Sequence, residues 1–214
     1  MRKAEITQSG SIIINGIEYN EESLPDRLVK AMERKWAIEL VERGALRVNK
    51  REYYQKWENE VLGDPNEGKG LYHYDGDPME IGSSNHVYAW CASLPDIGPQ
   101  RLSLIARQGN YNCIINLFAP EKFFERIRDY LLIQKQRFWL HCGYINYQRG
   151  APIDKRELNS QRFHFNVFQK APKFKEDGEY RISVIKFQRI PEGHLDLVLG
   201  DCSDIISIEE LPKF

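Results

Sequence analysis

The chain has 214 residues, of which 42% are hydrophobic and 29% charged, and its formal net charge is −1. This composition supports a packed core and excludes an intrinsically disordered protein, while the balanced charge removes a general attraction to nucleic acid or acidic membranes. The length predicts a single domain over residues 1–214. No apolar run reaches membrane-spanning length and the first ten residues carry no apolar signal core, so we expect a cytoplasmic protein without a membrane partner.

Two elements are predicted near the N-terminus. The pair Asn15-Gly16 lies between two short apolar runs, which is typical of a tight hairpin turn. A long N-terminal helix is then expected, with Ser23 as its N-cap, Pro25 in its first turn and Gly44 at its end. Its apolar stripe recurs every four residues, at Leu24, Leu28, Met32, Trp36 and Leu40.

The middle of the chain predicts a short strand, a short helix and a long loop. Ala45–Val48 is expected to be extended, and Asn49 to cap a short helix. A polar, glycine-rich loop is expected over residues 62–85, and a loop this long is either functional or poorly ordered.

The rest of the chain is dominated by predicted strands. A second amphipathic helix begins at Pro120, with Phe123, Ile127 and Leu131 on one face. The strands are HVYAWCAS, YNCIINLF, RFWLHCGYINY, FHFNVF, EYRISVIKF and HLDLVL. Because strands outnumber helices and do not alternate with them, the predicted class is α+β with a mainly antiparallel sheet.

The four cysteines are expected to be free thiols. Cys91, Cys113, Cys142 and Cys202 are widely spaced, and three of them lie in apolar runs. Such residues are typical of buried thiols in a reducing compartment. No cysteine or histidine pairing has zinc-site spacing, so no metal is expected.

The stretch KEDGEYRI admits two interpretations. Asp177-Gly178 is a turn-forming pair, so the charges can belong to a solvated hairpin tip. Alternatively, Glu179 faces a cleft at the sheet edge and stabilises positive charge on a sugar carbon, or binds a ribose hydroxyl. Glu176 can share that cleft, and Ser93, at the end of a strand, can donate a hydrogen bond to a ligand there.

Three residues near the short helix are further candidates for ligand contacts. Arg47 can clamp a phosphate with two hydrogen bonds. Tyr53 and Tyr54 can stack on a flat ring, or can pack the short helix on the sheet. Basic clusters around Arg47 and around Lys155 leave nucleic-acid binding open as a minor possibility.

Short motifs in the chain resemble those of a group of uncharacterised bacterial and phage-associated proteins. The motifs are Glu67-Gly68, then Cys91-Ala92-Ser93, then Phe168-Gln169-Lys170 leading to the run from Glu176 to Arg181. Their order also resembles that of the ADP-ribosyltransferase superfamily. That resemblance implies a split sheet that grips NAD as substrate in a central cleft.

Carried over, the resemblance gives roles to four residues, and a fifth, Tyr54, is added because it can stack on a flat ring. Arg47 would contact the NAD phosphates or ribose, Ser93 would brace the site and Glu179 would be the catalytic glutamate. Asp177 would take the earlier acidic position, and Tyr54 would also bind the cofactor. The sequence departs from the family in two places, since Cys-Ala-Ser replaces a Ser-Thr-Ser run and D-x-E replaces E-x-E.

The function implied is that of an ADP-ribosyltransferase-like toxin or effector of bacterial conflict. It would modify a macromolecular acceptor, protein or nucleic acid, or hydrolyse NAD, and a cognate neutralising protein would be a partner. The alternative is a non-catalytic protein-binding module of phage or plasmid conflict systems. The aromatic content, with 11 Tyr, 10 Phe and 4 Trp, fits that alternative.

Overall fold

The computed structural model describes residues 4–6, 12–19, 24–56, 63–81, 87–134, 138–149, 163–186 and 193–211. The strands in these ranges are β1 (Ala4–Ile6), β2 (Ile12–Ile14), β3 (Ile17–Tyr19), β4 (Leu28–Met32), β5 (Ala45–Lys50), β6 (Gly70–Tyr74), β7 (Asp77–Ile81), β8 (Val87–Ser93), β9 (Cys113–Leu117), β10 (Phe138–Tyr144), β11 (Glu179–Lys186), β12 (His194–Val198) and β13 (Ile206–Glu210). The α-helices are α1 (Arg34–Arg43), α2 (Arg51–Gln55), α3 (Pro99–Gln108) and α4 (Pro120–Ile133). Short 3-10 helices cover Pro95–Ile97, Phe163–Phe168 and Pro172–Asp177.

Eleven strands form one sheet, whose main path runs β1-β2-β3-β10-β11-β8-β4-β9-β13. Neighbouring strands are antiparallel, apart from β3, which runs parallel to β10. Strands β6 and β7 form a separate hairpin. The predicted α+β class with a mainly antiparallel sheet is therefore confirmed, while the specific likeness to ADP-ribosyltransferases stays a prediction.

The sheet forks along one edge of β8. On its other edge β8 pairs with β11 over its full length, from Val87 to Ser93. On the forked edge, β5 pairs with β8 at Tyr88 and Ala89, and β4 pairs with it at Ser93. The two branches diverge beside Cys91, and this wedge-shaped gap is called the fork below.

The main core lies between the sheet and α4. Phe124 stacks on Tyr180 of β11 with ring centroids 5.8 Å apart, and Phe123 lies 5.4 Å from Trp90 of β8. Helix α4 begins at Pro120 and buries Phe123, Ile127 and Leu131, as its periodicity predicted. Burial of this apolar face is the main stabilising contribution to such a helix.

The prediction of a long N-terminal helix was wrong over the first half of that helix. Leu28–Met32 is strand β4, which pairs with β9 and touches β8, and the helix starts only at Arg34. Its N-cap is Glu33, and Trp36 of the predicted apolar stripe is 50% exposed. A spacing of four residues also fits an alternating strand. Leu28–Met32 is a strand and not a helix because it pairs with β8 and β9. Gly44 ends the helix in a left-handed conformation, with φ 64°, as predicted.

Two other predicted elements were wrong. Phe163–Phe168 is a 3-10 helix and not a half-buried strand. The predicted loop over 62–85 contains hairpin β6–β7, which turns at Asp75 and Gly76. Part of that range, and Ser23, lie outside the described residues.

The predicted hairpin turn is confirmed, because Asn15 and Gly16 form the turn of hairpin β2–β3, with φ 51° and 81°. The predicted strand after Gly44 and the short helix are present as β5 and α2. The prediction of Asn49 as the cap of that helix was wrong, because β5 extends through Asn49 to Lys50, and Lys50 is the N-cap of α2. Within the described ranges, no helix is long and apolar enough to cross a membrane.

Candidate functional site

Strand β11 has two buried faces of opposite chemistry. Side chains alternate along a strand, so Glu179, Arg181 and Ser183 share one face. The opposite face carries Tyr180 and, beyond it, Ile182 and Val184, which belong to the main core. Glu179 is 6% exposed and Arg181 1%, so both are buried, as is Tyr180 between them. A buried charged face in the centre of a sheet marks a candidate site.

A cavity of about 110 Å³ lies at the fork, against this charged face. Residues from β4, α2, β8, α3 and the segment 170–181 line it. Its charged lining residues are Lys30, Lys170, Asp177, Glu179 and Arg181. Its aromatic lining consists of Tyr53, Tyr54 and Tyr111. The fork thus opens on a cavity with charged and aromatic walls.

Arg181 lies at the centre of a cluster of buried charges. Its side chain is 1% exposed, and its Nε donates to Oε1 of Glu179 at 2.7 Å. Its two terminal nitrogens also bind the carboxylate of Glu67, one of them at 3.3 Å, and one donates to the carbonyl oxygen of Val167. The guanidinium is thereby shared between two carboxylates, which fixes its plane.

Glu179 is held by cations on both carboxylate oxygens. Oε2 lies 2.6 Å from Nζ of Lys170, while Oε1 faces Arg181. Burial alone would raise the pKa of Glu179, but Arg181 and Lys170 outweigh burial and hold that pKa well below its usual range. The neighbouring thiol of Cys91 further lowers the pKa of this carboxyl group. Glu179 is therefore ionised at neutral pH.

Asp177 closes one side of the cavity through an ion pair with α3. Nε of Arg101 lies 3.0 Å from Oδ1 of Asp177, and Nη2 lies 2.5 Å from the same atom. Lys170 is 3.8 Å from the other oxygen. Burial raises the pKa of Asp177, and the neighbouring Lys170 and Arg101 oppose that effect.

The solvated hairpin tip predicted around Asp177-Gly178 was wrong. A 3-10 helix over Pro172–Asp177 ends at Gly178, whose φ of 49° is left-handed, and β11 starts directly afterwards. This turn buries both Asp177 and Glu179 and leaves Glu176 exposed. The second interpretation placed Glu179 at a sheet edge, but β11 is paired on both sides.

At the fork, side chains replace the missing strand partner of β8. Nζ of Lys30 donates to the carbonyl oxygen of Cys91 at 2.6 Å. The hydroxyl of Tyr54 donates to the carbonyl oxygen of Ala89 at 3.0 Å. Buried backbone carbonyls need partners, and neither β5 nor β4 pairs with β8 at Cys91, whereas Ala89 is also paired with Asn49 of β5. Burial lowers the pKa of Lys30 and raises that of Tyr54.

Ser93 and Cys91 reach the cavity from β8. Ser93 is directly opposite Glu179 in the register of β8 and β11. Burial raises the pKa of Cys91 to about 12, so its thiol stays protonated near neutral pH and is a poor nucleophile. All four cysteines are free, as predicted.

Arg47 does not reach the cavity. It lies on the outer face of β5, 53% exposed, and pairs with Asp196 of β12 at 2.8 Å. The alternation of β5 buries Leu46 and Val48 and directs Arg47 outward. Of the five predicted site residues, Glu179, Ser93, Tyr54 and Asp177 line one cavity, and Arg47 faces a different surface hollow.

The turn that contains Glu67 is anchored to the same cluster. Asp64 forms a buried ion pair with Arg149, and its Oδ1 accepts from the backbone N–H of Asn66 at 3.0 Å. Gln55 of α2 donates to the carbonyl oxygen of Glu67 at 2.7 Å. The cluster of Glu67, Lys170, Asp177, Glu179 and Arg181 is called the charged cluster below.

Sequence reasoning missed most of the cations in this site. Lys30 was assigned to a helix, and Lys170 and Arg181 were given no role. One signal was present in the sequence. A lysine inside the apolar run LVKAM is unusual for a buried strand, and recognising the strand would have pointed to Lys30.

No protein-family model, curated protein or solved structure matches the chain. The described residues contain no group of three or more His, Cys, Asp or Glu side chains that could hold a metal ion. The cavity and its charged lining are therefore the features that indicate a function.

Proposed function

We propose that the cavity binds NAD and that the protein cleaves the bond between nicotinamide and ribose, passing ADP-ribose to a macromolecule or to water. The observation that carries the proposal is the ionised, buried carboxylate of Glu179, which lines the cavity directly opposite Ser93. Tyrosine side chains beside it provide flat surfaces for rings.

The chemistry requires negative charge beside the reacting sugar carbon. When the bond breaks, its electron pair leaves with nicotinamide, and the ribose carbon becomes oxocarbenium-like. A fixed carboxylate stabilises that state, and the acceptor then bonds to the carbon and loses its proton to solvent. Because its pKa is low, Glu179 would act as a charge and a hydrogen-bond acceptor rather than as a base.

The size of the cavity limits how NAD can bind. About 110 Å³ is below the roughly 300–1,000 Å³ of pockets that enclose a whole drug-sized ligand. Only the nicotinamide end of NAD, with its ribose and the phosphate attached to that ribose, would enter the fork. The remainder of the dinucleotide would lie along the open side, near the partly exposed rings of Tyr53 and Tyr111.

The biological setting of the proposal comes from the sequence resemblance alone. That resemblance suggests a toxin or effector with a macromolecular acceptor and a neutralising partner. The non-catalytic alternative predicts a continuous exposed apolar patch. Among the described residues, exposed large apolar side chains occur at Trp36 of α1, at Leu132 and Ile133 of α4, and at Trp139 of β10.

The test is nicotinamide release from NAD, measured with and without a cell lysate as a source of acceptors. We expect release by the native protein and at least a hundredfold slower release by Glu179→Gln. Asp196→Asn, which alters an exposed ion pair away from the cavity, is the matched control and should retain full activity.

A second variant is needed because Glu179→Gln could lose activity simply by failing to fold. Ser93→Ala removes a partly exposed hydroxyl from the cavity and should also slow release, with a small change in thermal stability. If the native protein releases no nicotinamide with any acceptor and fails to bind NAD at millimolar concentration, the proposal is refuted and the binding module is favoured.

A further inference from the structure

The cavity contains one more cation than the carboxylates around it can pair with. Its surroundings include four cations, Lys30, Arg101, Lys170 and Arg181, and three carboxylates, Glu67, Asp177 and Glu179. Arg101, Lys170 and Arg181 bind the three carboxylates. Among the described residues, no carboxylate lies within ion-pair distance of Lys30, which donates instead to the carbonyl of Cys91.

Lys30 is placed so that a ligand in the cavity can reach it. It extends from β4 into the fork, and its Nζ lies 5.2 Å from the centre of the Trp90 ring. An ammonium group has three N–H donors, and the Cys91 carbonyl takes one of them. The remaining donors are available to an oxygen atom of a ligand.

A lysine at this position needs a compensating anion. Burial of a cation without a carboxylate in ion-pair contact is costly. Burial accordingly lowers the pKa of Lys30, and Cys91 and the carboxylate of Glu179 only partly oppose that effect. The other residues of β4 are apolar. An anionic group bound beside Nζ would restore the balance of charge in the cavity.

We propose that Lys30 is the anion-binding residue of the cavity and that it takes a phosphate group of a nucleotide ligand. The nucleotide identity depends on the function proposed above, whereas anion binding at Lys30 does not require NAD cleavage. Lys30 thus replaces Arg47 as the phosphate contact, because Arg47 is paired on the outer face of β5.

Calorimetric titration of the native protein and its variants with inorganic pyrophosphate and with ADP-ribose tests this proposal. We expect Lys30→Met to weaken both affinities at least tenfold and Lys30→Arg to keep most of them. Lys35→Met is the matched control, since Lys35 also lies over a tryptophan ring, Trp36 at 5.0 Å, but is exposed. It should bind as the native protein does.

A phosphate-free ligand separates the role of Lys30 from general damage to the site. Affinity for nicotinamide riboside should change less than twofold in Lys30→Met. If that variant does not fold, acetylation of the native protein, followed by mass spectrometry, gives an independent reading. Pyrophosphate should protect Lys30 from acetylation at least fivefold and leave Lys35 unprotected.

The outcomes distinguish this inference from the proposed function. Anion binding through Lys30 without nicotinamide release supports the inference and counts against NAD cleavage. If the native protein releases nicotinamide but Lys30→Met keeps its affinity for pyrophosphate and ADP-ribose, NAD cleavage is supported and the inference about Lys30 is contradicted. Absence of anion binding by the native protein, or a Lys30→Met variant that is only less heat-stable, overturns the inference.

Discussion

The two faces of β11 are both buried but differ in the interactions that hold them in place. On one face Trp90, Tyr180 and Ile182 pack against aromatic residues of α4. On the other face Glu179 and Arg181 belong to the charged cluster beside the cavity. A single pair of strands thus lies between an apolar core and a layer of ion pairs.

The difference shows which face the fold needs for stability. Apolar burial contributes about 25 cal/mol per Å², whereas a buried ion pair often adds little, because desolvation offsets attraction. Packed apolar side chains would make a sheet as stable without the charged cluster. The cluster is therefore better explained by ligand binding or catalysis, and the predictions below test this contrast.

The largest loss of unfolding free energy is expected from Arg181→Met, on the charged face of β11. The change leaves Glu67 without its guanidinium and Glu179 with Lys170 alone. Removing one partner of a buried ion pair costs about 3–5 kcal/mol, so this variant should lose at least that much unfolding free energy. Urea unfolding measures the loss, and a loss below about 1 kcal/mol would contradict the description of the cluster.

A pH-dependent effect is expected from Glu179. Its folded pKa is lowered, so its contribution to stability is fully present above about pH 4.3, the unfolded value, and is lost as the pH falls further. The stability advantage over Glu179→Gln should shrink below that pH, by up to about 1.4 kcal/mol per pH unit.

Urea midpoints of both proteins between pH 5 and pH 3 measure this change. Burial raises the pKa of Asp177, so that residue acts in the opposite direction, with stability present at low pH and lost as the pH rises. The comparison with Glu179→Gln removes most of that contribution. Parallel pH profiles for the two proteins would show that Glu179 is not held by its cations.

A smaller effect is expected one residue along the strand, on the apolar face. Ile182→Val removes one methylene group from the main core and should cost about 0.5–1.5 kcal/mol. Because Ile182 points away from the cavity, nicotinamide release should be unchanged. A large loss of activity with this small loss of stability would mean that the two faces are coupled.

The smallest effect is expected from Arg47→Ala. Its ion pair with Asp196 is exposed on both sides, and such pairs contribute about 0–1 kcal/mol. Thermal unfolding and NAD binding should both stay close to those of the native protein. A tenfold loss of NAD affinity would return Arg47 to the role that the resemblance gave it.

Regular elements were predictable where one periodicity dominated the sequence. β8, β9, β11 and α4 were found because their apolar runs are unambiguous. β4 was missed because the spacing of Leu28 and Met32 fits both a helix and a strand, and only pairing with β9 resolves it. α3 and β13 were not identified at all.

The candidate site was predictable where it coincided with strand ends. Glu179 and Ser93 were identified because polar residues at the ends of apolar strands stand out, and the structure places them opposite each other. Arg47 was misplaced although its apolar neighbours Leu46 and Val48 indicate, by the alternation of a strand, that its side chain points outward. The ion pair of Glu67 with Arg181 joins residues 114 apart in sequence, which no local pattern predicts.

That separation also affects when the site can form during synthesis. Glu67 leaves the ribosome well before Arg181, the residue that pairs with it, and β8 likewise leaves well before β11, its partner along one full edge. Contacts between distant parts of a chain form slowly, because closing the intervening loop costs entropy. The charged cluster should therefore be absent from the growing chain until nearly all of the sheet has been translated, and a prematurely terminated product would lack it.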